Sequence, residues 1–194
     1  MDGLRTRVHL NNSFQITTER LRLSLPQDDD ANPLLEFHQK NRSHLEQWEP
    51  LREVDIYQVS YWADWISRAN DEFKSDQSMR LILRLRESNE IIGLINFTNF
   101  ERGPFQNCRL GYKLGKSFEG HGFMTEALKA GIDEIKAKRF HRIEANYIPH
   151  NEKSGALLKR LNFTHHGIAP KYLKIAGKWQ DHCLTSLILE NLVD

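Results

Sequence analysis

The chain has 194 residues, 39% hydrophobic and 27% charged, enough for one domain with a full-sized core. Its 27 basic and 26 acidic residues leave a formal charge of +1, which speaks against a broad nucleic-acid-binding surface and against direct DNA binding. Cys108 and Cys183 lack CxxC spacing, Met1 to Phe14 lacks an apolar signal core, and no run approaches the ~20 apolar residues of a membrane span, so a cytoplasmic protein without membrane contact is expected.

Residues 1–15 read as a loose lead-in. Arg20 to Pro26 alternates polar and apolar side chains, the pattern of a strand with one buried face. Pro26-Gln27-Asp28-Asp29-Asp30 breaks it and offers helix caps. A helix is expected over roughly residues 31–47, with Leu34, Leu35, His38 and Leu45 as its less polar positions. Trp48-Glu49-Pro50 is a turn. A second helix, about 59–74, carries Trp62, Trp65 and Ile66 at helical spacing, which explains them as core.

Strands at 79–85 and 91–100 form a hairpin through Ser88-Asn89, and a strand at 108–114 follows Gly103-Pro104. The next helix runs to about residue 138, with Met124, Leu128, Ile132 and Ile135 inward and Glu126, Lys129, Asp133, Glu134 and Lys136 toward water. A strand at 142–148 ends in Pro149-His150-Asn151, and Asn151 caps a helix through residue 161. Asn162 stands where a helix stop favours left-handed backbone. Residues 163–174 and 178–189 read as a strand pair turning near Gly177. The expectation is a single α/β domain over 1–194, with about seven mostly antiparallel strands and about four helices.

The most informative stretch runs from Leu110 to Ala127: a short strand, a tight turn at Gly120-His121-Gly122, and a helix start. Two glycines one residue apart let the backbone approach a ligand, and the free N–H groups of the following helical turn suit a phosphate. Gly115-Lys116-Ser117 imitates the end of a P-loop, but Gly111 lies one residue too close and no helix starts after Ser117. A dinucleotide fold needs a third glycine where Thr125 stands, and an earlier place in the chain. A bare strand-to-helix turn and the [QR]xxGx[GA] pyrophosphate turn of the GNAT acetyltransferases remain. The preceding antiparallel strands and the later Asn-capped helix favour the second.

Leu110 to Leu128 resembles GNAT motif A, and His141 to Leu158 resembles motif B. Further matching stretches are His44-Leu45-Glu46-Gln47-Trp48-Glu49-Pro50, Ile91-Ile92-Gly93 with Asn96-Phe97-Thr98-Asn99, and Trp179-Gln180-Asp181-His182. The resemblance extends from about Leu21 to Leu189 and points to the branch that acetylates ribosomal-protein N-termini. It implies an α+β fold whose mixed, mostly antiparallel sheet splays to clamp acetyl-CoA, with no metal. Leu114 and its neighbours would pair with the pantetheine like an added strand. Backbone N–H groups of Gly120, His121, Gly122, Phe123, Met124 and Thr125 would hold the pyrophosphate. Asn151 would bond the pantetheine arm, and Ser154 would lie near the sulfur as proton donor. The implied acceptor is the N-terminus, alanine, of a ribosomal protein, met free or on the small ribosomal subunit or its precursors.

Two residues depart from the family pattern. Glu119 replaces the usual Gln or Arg and would repel a pyrophosphate unless it turns outward or meets a cation such as Lys116. Leu158 replaces a tyrosine that serves many relatives as proton donor, which leaves Ser154, whose alternative is a hydroxyl bonded back to its own helix.

Direct attack of an amine on the thioester needs a neutral amine. At about pH 7 roughly one α-amino group in seven is already neutral, so a water relay suffices as base. Glu101, Asp181 and His182 are candidate bases, each equally readable as a surface or hairpin residue. A backbone N–H near Leu114 is the expected oxyanion donor. Trp48, Glu49 and the second helix are candidates for the acceptor groove, with Glu49 either attracting a cationic peptide end or standing as a plain loop carboxylate. The histidines at 141, 150, 165, 166 and 182 lack HExxH spacing, so no metal is expected. Two alternatives stand beside this reading. One is an acetyltransferase for a small amine or peptide antibiotic, for which Glu49, Glu53 and Asp55 would converge in a closed pocket. The other is a CoA-binding ribosome-assembly factor with incidental catalysis.

Overall fold

A computed structural model of the chain describes residues 6–10, 13–51 and 54–190. Its nine strands form one sheet among the described residues: β1 (Thr6–Leu10), β2 (Ser13–Thr17), β3 (Leu21–Ser24), β4 (Met79–Leu85), β5 (Ile91–Glu101), β6 (Asn107–Leu114), β7 (Arg142–Glu144), β8 (Thr164–Ile175) and β9 (Lys178–Ile188). The order across the sheet is β1-β2-β3-β4-β5-β6-β7-β9-β8. Every pairing is antiparallel except that of β6 with β7. Among the described residues five α-helices accompany it: α1 (Ala31–Lys40), α2 (Arg42–Leu45), α3 (Val59–Lys74), α4 (Phe123–Ala137) and α5 (Glu152–Arg160).

Period-two patterning divides the core in two. On β4, Met79, Leu81 and Leu83 face α4 and meet its Met124, Ala127 and Leu128, together with Ile95 and Phe97 of β5. Ile82 and Leu94 face the other way, toward Leu34 and Phe37 of α1 and Trp62 and Ile66 of α3. Trp62 and Ile66 are buried, as their spacing predicts.

Several boundaries differ from the sequence reading. Where a loose lead-in is expected, β1 and β2 pair, and Phe14 and Ile16 are buried by the same period-two rule that marks the later strands. Residues 1–5 and 11–12 of that lead-in lie outside the described residues, as does Glu53. The helix expected over 31–47 breaks at Asn41, whose Nδ2 donates to Phe37 O while its Oδ1 accepts the Lys116 N–H, 2.9 Å each. The strand expected over 142–148 stops at Glu144; beyond it Ala145 N–H bonds Thr185 O at 3.0 Å and Tyr147 forms an isolated bridge to Cys183. Glu134, expected to face water, is 8% exposed, because it follows Ala127 and Ala130 along the buried side of α4. Asn162 is left-handed as expected, with φ 63°.

The parallel pair sets the site. β6 and β7 pair only through Asn107–Arg109 and Arg142–Glu144, whereas β6 continues to Leu114 against β5. From Leu110 onward one edge of β6 therefore has no strand beside it.

Candidate active site

The splay opens a cleft of about 1860 Å³ between the outer half of β6, the start of α4, α5 and the inner face of β9. Gly115 N–H bonds to Ile92 O of β5 at 2.8 Å. Antiparallel alternation then turns the N–H and C=O of Leu114 toward the opposite, open edge. Leu114 lines the cleft and offers it one strand-like donor and acceptor.

Beyond Leu114 a short 3-10 turn (Lys116–Phe118) leads to Gly120 and Gly122, both at φ +80°. Such backbone suits glycine and bends the chain sharply into α4. Among the described residues, the N–H groups of Gly120, His121, Gly122, Phe123, Met124 and Thr125 have no acceptor; the first bond of the helix is Glu126 N–H to Gly122 O. These amides and the dipole of α4 form a concave anion site. Arg20 braces it, donating from its guanidinium to His121 O at 2.9 Å and to Glu126 at 2.7 Å, with the guanidinium 4.5 Å from the Phe123 ring centre. Thr18 Oγ1 and Arg20 N–H also donate to Glu126, at 2.6 and 2.9 Å. Burial raises the pKa of Glu126, but these hydrogen bonds and the Arg20 charge outweigh it and hold the carboxyl below its usual value.

Glu119 meets two ammonium groups and an imidazole: Lys153 Nζ at 2.6 Å, Lys116 Nζ at 3.5 Å and His44 Nε2 at 3.3 Å. Burial pushes its pKa up, the Lys153 hydrogen bond and the neighbouring charges push it down, and the net direction is down. The odd carboxylate of the turn is therefore neutralised, and it ties α5 to the turn before α4.

On α5, Asn151 Oδ1 accepts the Ser154 N–H at 3.1 Å, the expected cap, and its Nδ2 is left for the cleft it lines. Ser154 Oγ bonds Tyr112 Oη of β6 at 2.6 Å. It does not bond back to its own helix. Burial drives the Tyr112 phenol up to about 12 despite the Ser154 hydrogen bond. Leu158 is 1% exposed and belongs to the core, so no donor stands there. Tyr112 is the residue the sequence reading missed; the available signal was a polar-tipped aromatic in the inward row Cys108, Leu110, Tyr112, Leu114.

Of the candidate bases, His182 lines the cleft and is 3% exposed. Its Nδ1 lies 3.0 Å from Gln180 O, which can only accept, so Nδ1 donates there and Nε2 is the ring nitrogen left for the cleft. Asp181 is exposed, accepts the Lys171 N–H at 2.8 Å and does not line the cleft; Glu101 is an exposed strand end. Alternation along β9 places Asp181 and His182 on opposite faces. Trp48 and Glu49 line the cleft, with Glu49 ion-paired to Lys113 and Trp48 5.5 Å from the His150 ring. Asp55 is exposed and bonds Tyr57 N–H and Gln58, away from the cleft. Glu49 and Asp55 do not converge. Among the described residues no cluster of three metal-ligating side chains occurs, and no helix is long and apolar enough to cross a membrane.

The Acetyltransferase (GNAT) domain family matches residues 20–164. The chain belongs to the GNAT acetyltransferase family. The resemblance read from motifs A and B is borne out. Within this family the chain is 41% identical over 174 residues to the [Ribosomal protein uS5]-alanine N-acetyltransferase of Escherichia coli, covering 89% of this chain and 90% of that one. The crystal structure of ribosomal-protein-S5-alanine acetyltransferase from Vibrio fischeri superimposes with TM-score 0.87 at 34% identity, over 94% of this chain and 99% of that one. Mycobacterium smegmatis RimJ in complex with CoA-disulfide gives TM-score 0.83 at 29% identity, over 90% of this chain and 84% of that one. The mixed, mostly antiparallel GNAT sheet is thus as expected, though with nine strands and five α-helices.

Proposed function

We propose that this chain, acting as a single domain in the cytoplasm, transfers the acetyl group of acetyl-CoA to the α-amino group of the N-terminal alanine of ribosomal protein uS5. The acceptor follows from likeness to the E. coli enzyme of that name. The observation that carries the chemistry is the run of acceptor-free amides from Gly120 to Thr125, leading to an open strand edge with a hydroxyl pair beside it. A diphosphate fits the amides, an extended amide-bearing arm fits the edge at Leu114, and Asn151 Nδ2 can bond that arm.

Acetyl-CoA supplies a thioester carbonyl open to direct attack. The Leu114 N–H, turned to the open edge, donates to the carbonyl oxygen as charge builds on it. A phenol is more acidic than an aliphatic alcohol, so Tyr112 donates to Ser154 Oγ and the Ser154 proton is directed to the departing sulfur. His182 Nε2 takes the proton of the attacking amine, directly or through water. Trp48 and the paired Glu49 border the acceptor path.

The test is incubation with acetyl-CoA and a panel of N-terminal peptides, including the start of uS5, followed by location of the acetyl group by mass spectrometry. Acetyl on the α-amine of the alanine peptide is expected. Acetyl confined to lysine side chains would overturn the reading.

A further inference from the structure

The amide turn and Ser154 belong to the sheet face covered by α4 and α5. The opposite face of the same strands carries Gly111 and Lys113 on β6, with Asn96 and Leu94 across from them on β5. Asn96 lines the cleft there, with its Oδ1 shut off from solvent and without a hydrogen bond among the described residues. A buried acceptor left unsatisfied is destabilising, so its place in a binding cleft asks for a donor. Asn107 Oδ1 is in the same state but does not line the cleft.

Gly111 is the cross-strand partner of Asn96, and a Cβ there would meet nothing within 4 Å. Glycine therefore leaves an open floor between Asn96 and the free edge of β6. Adjacent strands lie about 4.8 Å apart, so an arm paired to that edge lies about two strand spacings from the Asn96 backbone, and the space over Gly111 between them is where an incoming amine would pass.

We propose that Asn96 is an acceptor-binding residue: its Oδ1 accepts a hydrogen bond from the α-amino group of the incoming peptide, which passes over Gly111 to the thioester. The inference rests on the α-amine reading above. It also explains why an amide suits this position. A neutral oxygen orients a neutral amine, whereas a carboxylate would hold the ammonium form and raise its pKa. The charged groups around this face are largely paired. Arg80, beside Asn96 on β4, bonds Glu72 of α3 at 2.8 Å; Lys113 pairs with Glu49 and lies 3.5 Å from His38 of α1; His182 faces the cleft from β9.

Asn96→Leu and Asn96→Asp test this with acetyl-CoA and an N-terminal alanine peptide. For Asn96→Leu, peptide kcat/KM should fall about tenfold or more, and calorimetric peptide affinity for the CoA-bound protein should fall with it. The acetyl-CoA Kd should stay within about twofold, and thermal stability should hold or rise, since an unsatisfied acceptor is removed. For Asn96→Asp, the acidic limb of the kcat profile, which reports the bound amine, should move to higher pH. Unchanged peptide affinity in Asn96→Leu, an equal loss of acetyl-CoA affinity, or an unmoved limb in Asn96→Asp overturns the proposal. If the wild type acetylates the peptide α-amine and Asn96→Leu matches it, only this inference falls; if the wild type acetylates no α-amine, the functional reading falls first.

Discussion

A serine hydroxyl is a weak acid, and Ser154 gains from the phenol behind it. In the proposed mechanism Tyr112 is the donor of the 2.6 Å contact, which would make the Ser154 proton easier to give away. Ser154→Ala should lower kcat about 100-fold, within the range of a lost general acid, with little change in acetyl-CoA affinity. Tyr112→Phe should lower kcat less, and adding it to Ser154→Ala should cost almost nothing further, because the two hydroxyls act in series. Additive losses in steady-state assays would break that coupling. Glu119 offers a second residue-scale test. Its carboxylate engages Lys153, Lys116 and His44 beside the amide turn. Glu119→Gln should free two ammonium groups and tighten acetyl-CoA binding about fivefold at low salt, with the gain fading at high salt. A Kd that does not move in calorimetry would mean that those cations do not reach the phosphates.

At the scale of elements, two helix N-termini make the site in different ways. α4 starts from a left-handed Gly122 with no side-chain cap, so its first amides are left to a ligand. α5 starts from Asn151, whose oxygen is spent on the Ser154 N–H. The two starts differ in kind: one leaves amides that suit an anion, the other fixes the first turn that carries Ser154. Asn151→Ala should cost about 1 kcal/mol of stability, the usual value of a lost cap, and should also lower kcat by loosening that turn. Asn151→Asp keeps the cap oxygen and loses the amide donor. Urea unfolding should return to wild type in Asn151→Asp while acetyl-CoA affinity stays reduced. Recovery of both would leave Nδ2 without a part in binding.

Across the whole molecule, long-range carboxylate contacts hold the layers together. Glu126 joins α4 to Thr18 and Arg20 before β3, Glu72 joins α3 to Ser78 and Arg80, and Glu119 joins the turn to α5. In each, burial pushes the pKa up and hydrogen bonds push it down further, for a net decrease. Lowered folded-state values mean that the folded protein binds these protons less readily than the unfolded chain. Their stabilisation is therefore complete above the unfolded carboxylate range and is lost as pH falls through the folded values. The melting temperature should stay nearly level from about pH 7 to 5 and drop below roughly pH 4.5. Glu126→Gln should lower the neutral-pH melting temperature and flatten the acid drop; calorimetric scans across pH would register both, and an unaltered acid slope would remove Glu126 from this set.

Local patterning determined much of this protein. Period-two alternation marked β3, turn residues marked the hairpin of β4 and β5 and the start of β6, helical spacing marked α3 and α4, and the glycine pair with the Asn151 cap marked the expected cofactor side, because each is written in residues close together in the chain. The tertiary structure decided what depends on distant partners. Arg20 reaches His121 across 101 positions and Tyr112 meets Ser154 across 42, separations that no local period encodes. Asn41 breaks its helix in order to hold Lys116, and Glu134 is buried because of the face it occupies. The adjacent Asp181 and His182 looked equivalent in sequence; the pleat of β9 sent one to solvent and the other into the cleft. The opening of the sheet is likewise a tertiary event: β7 stops pairing after Glu144 while β6 runs on to Leu114, and the unpaired edge between them is the site.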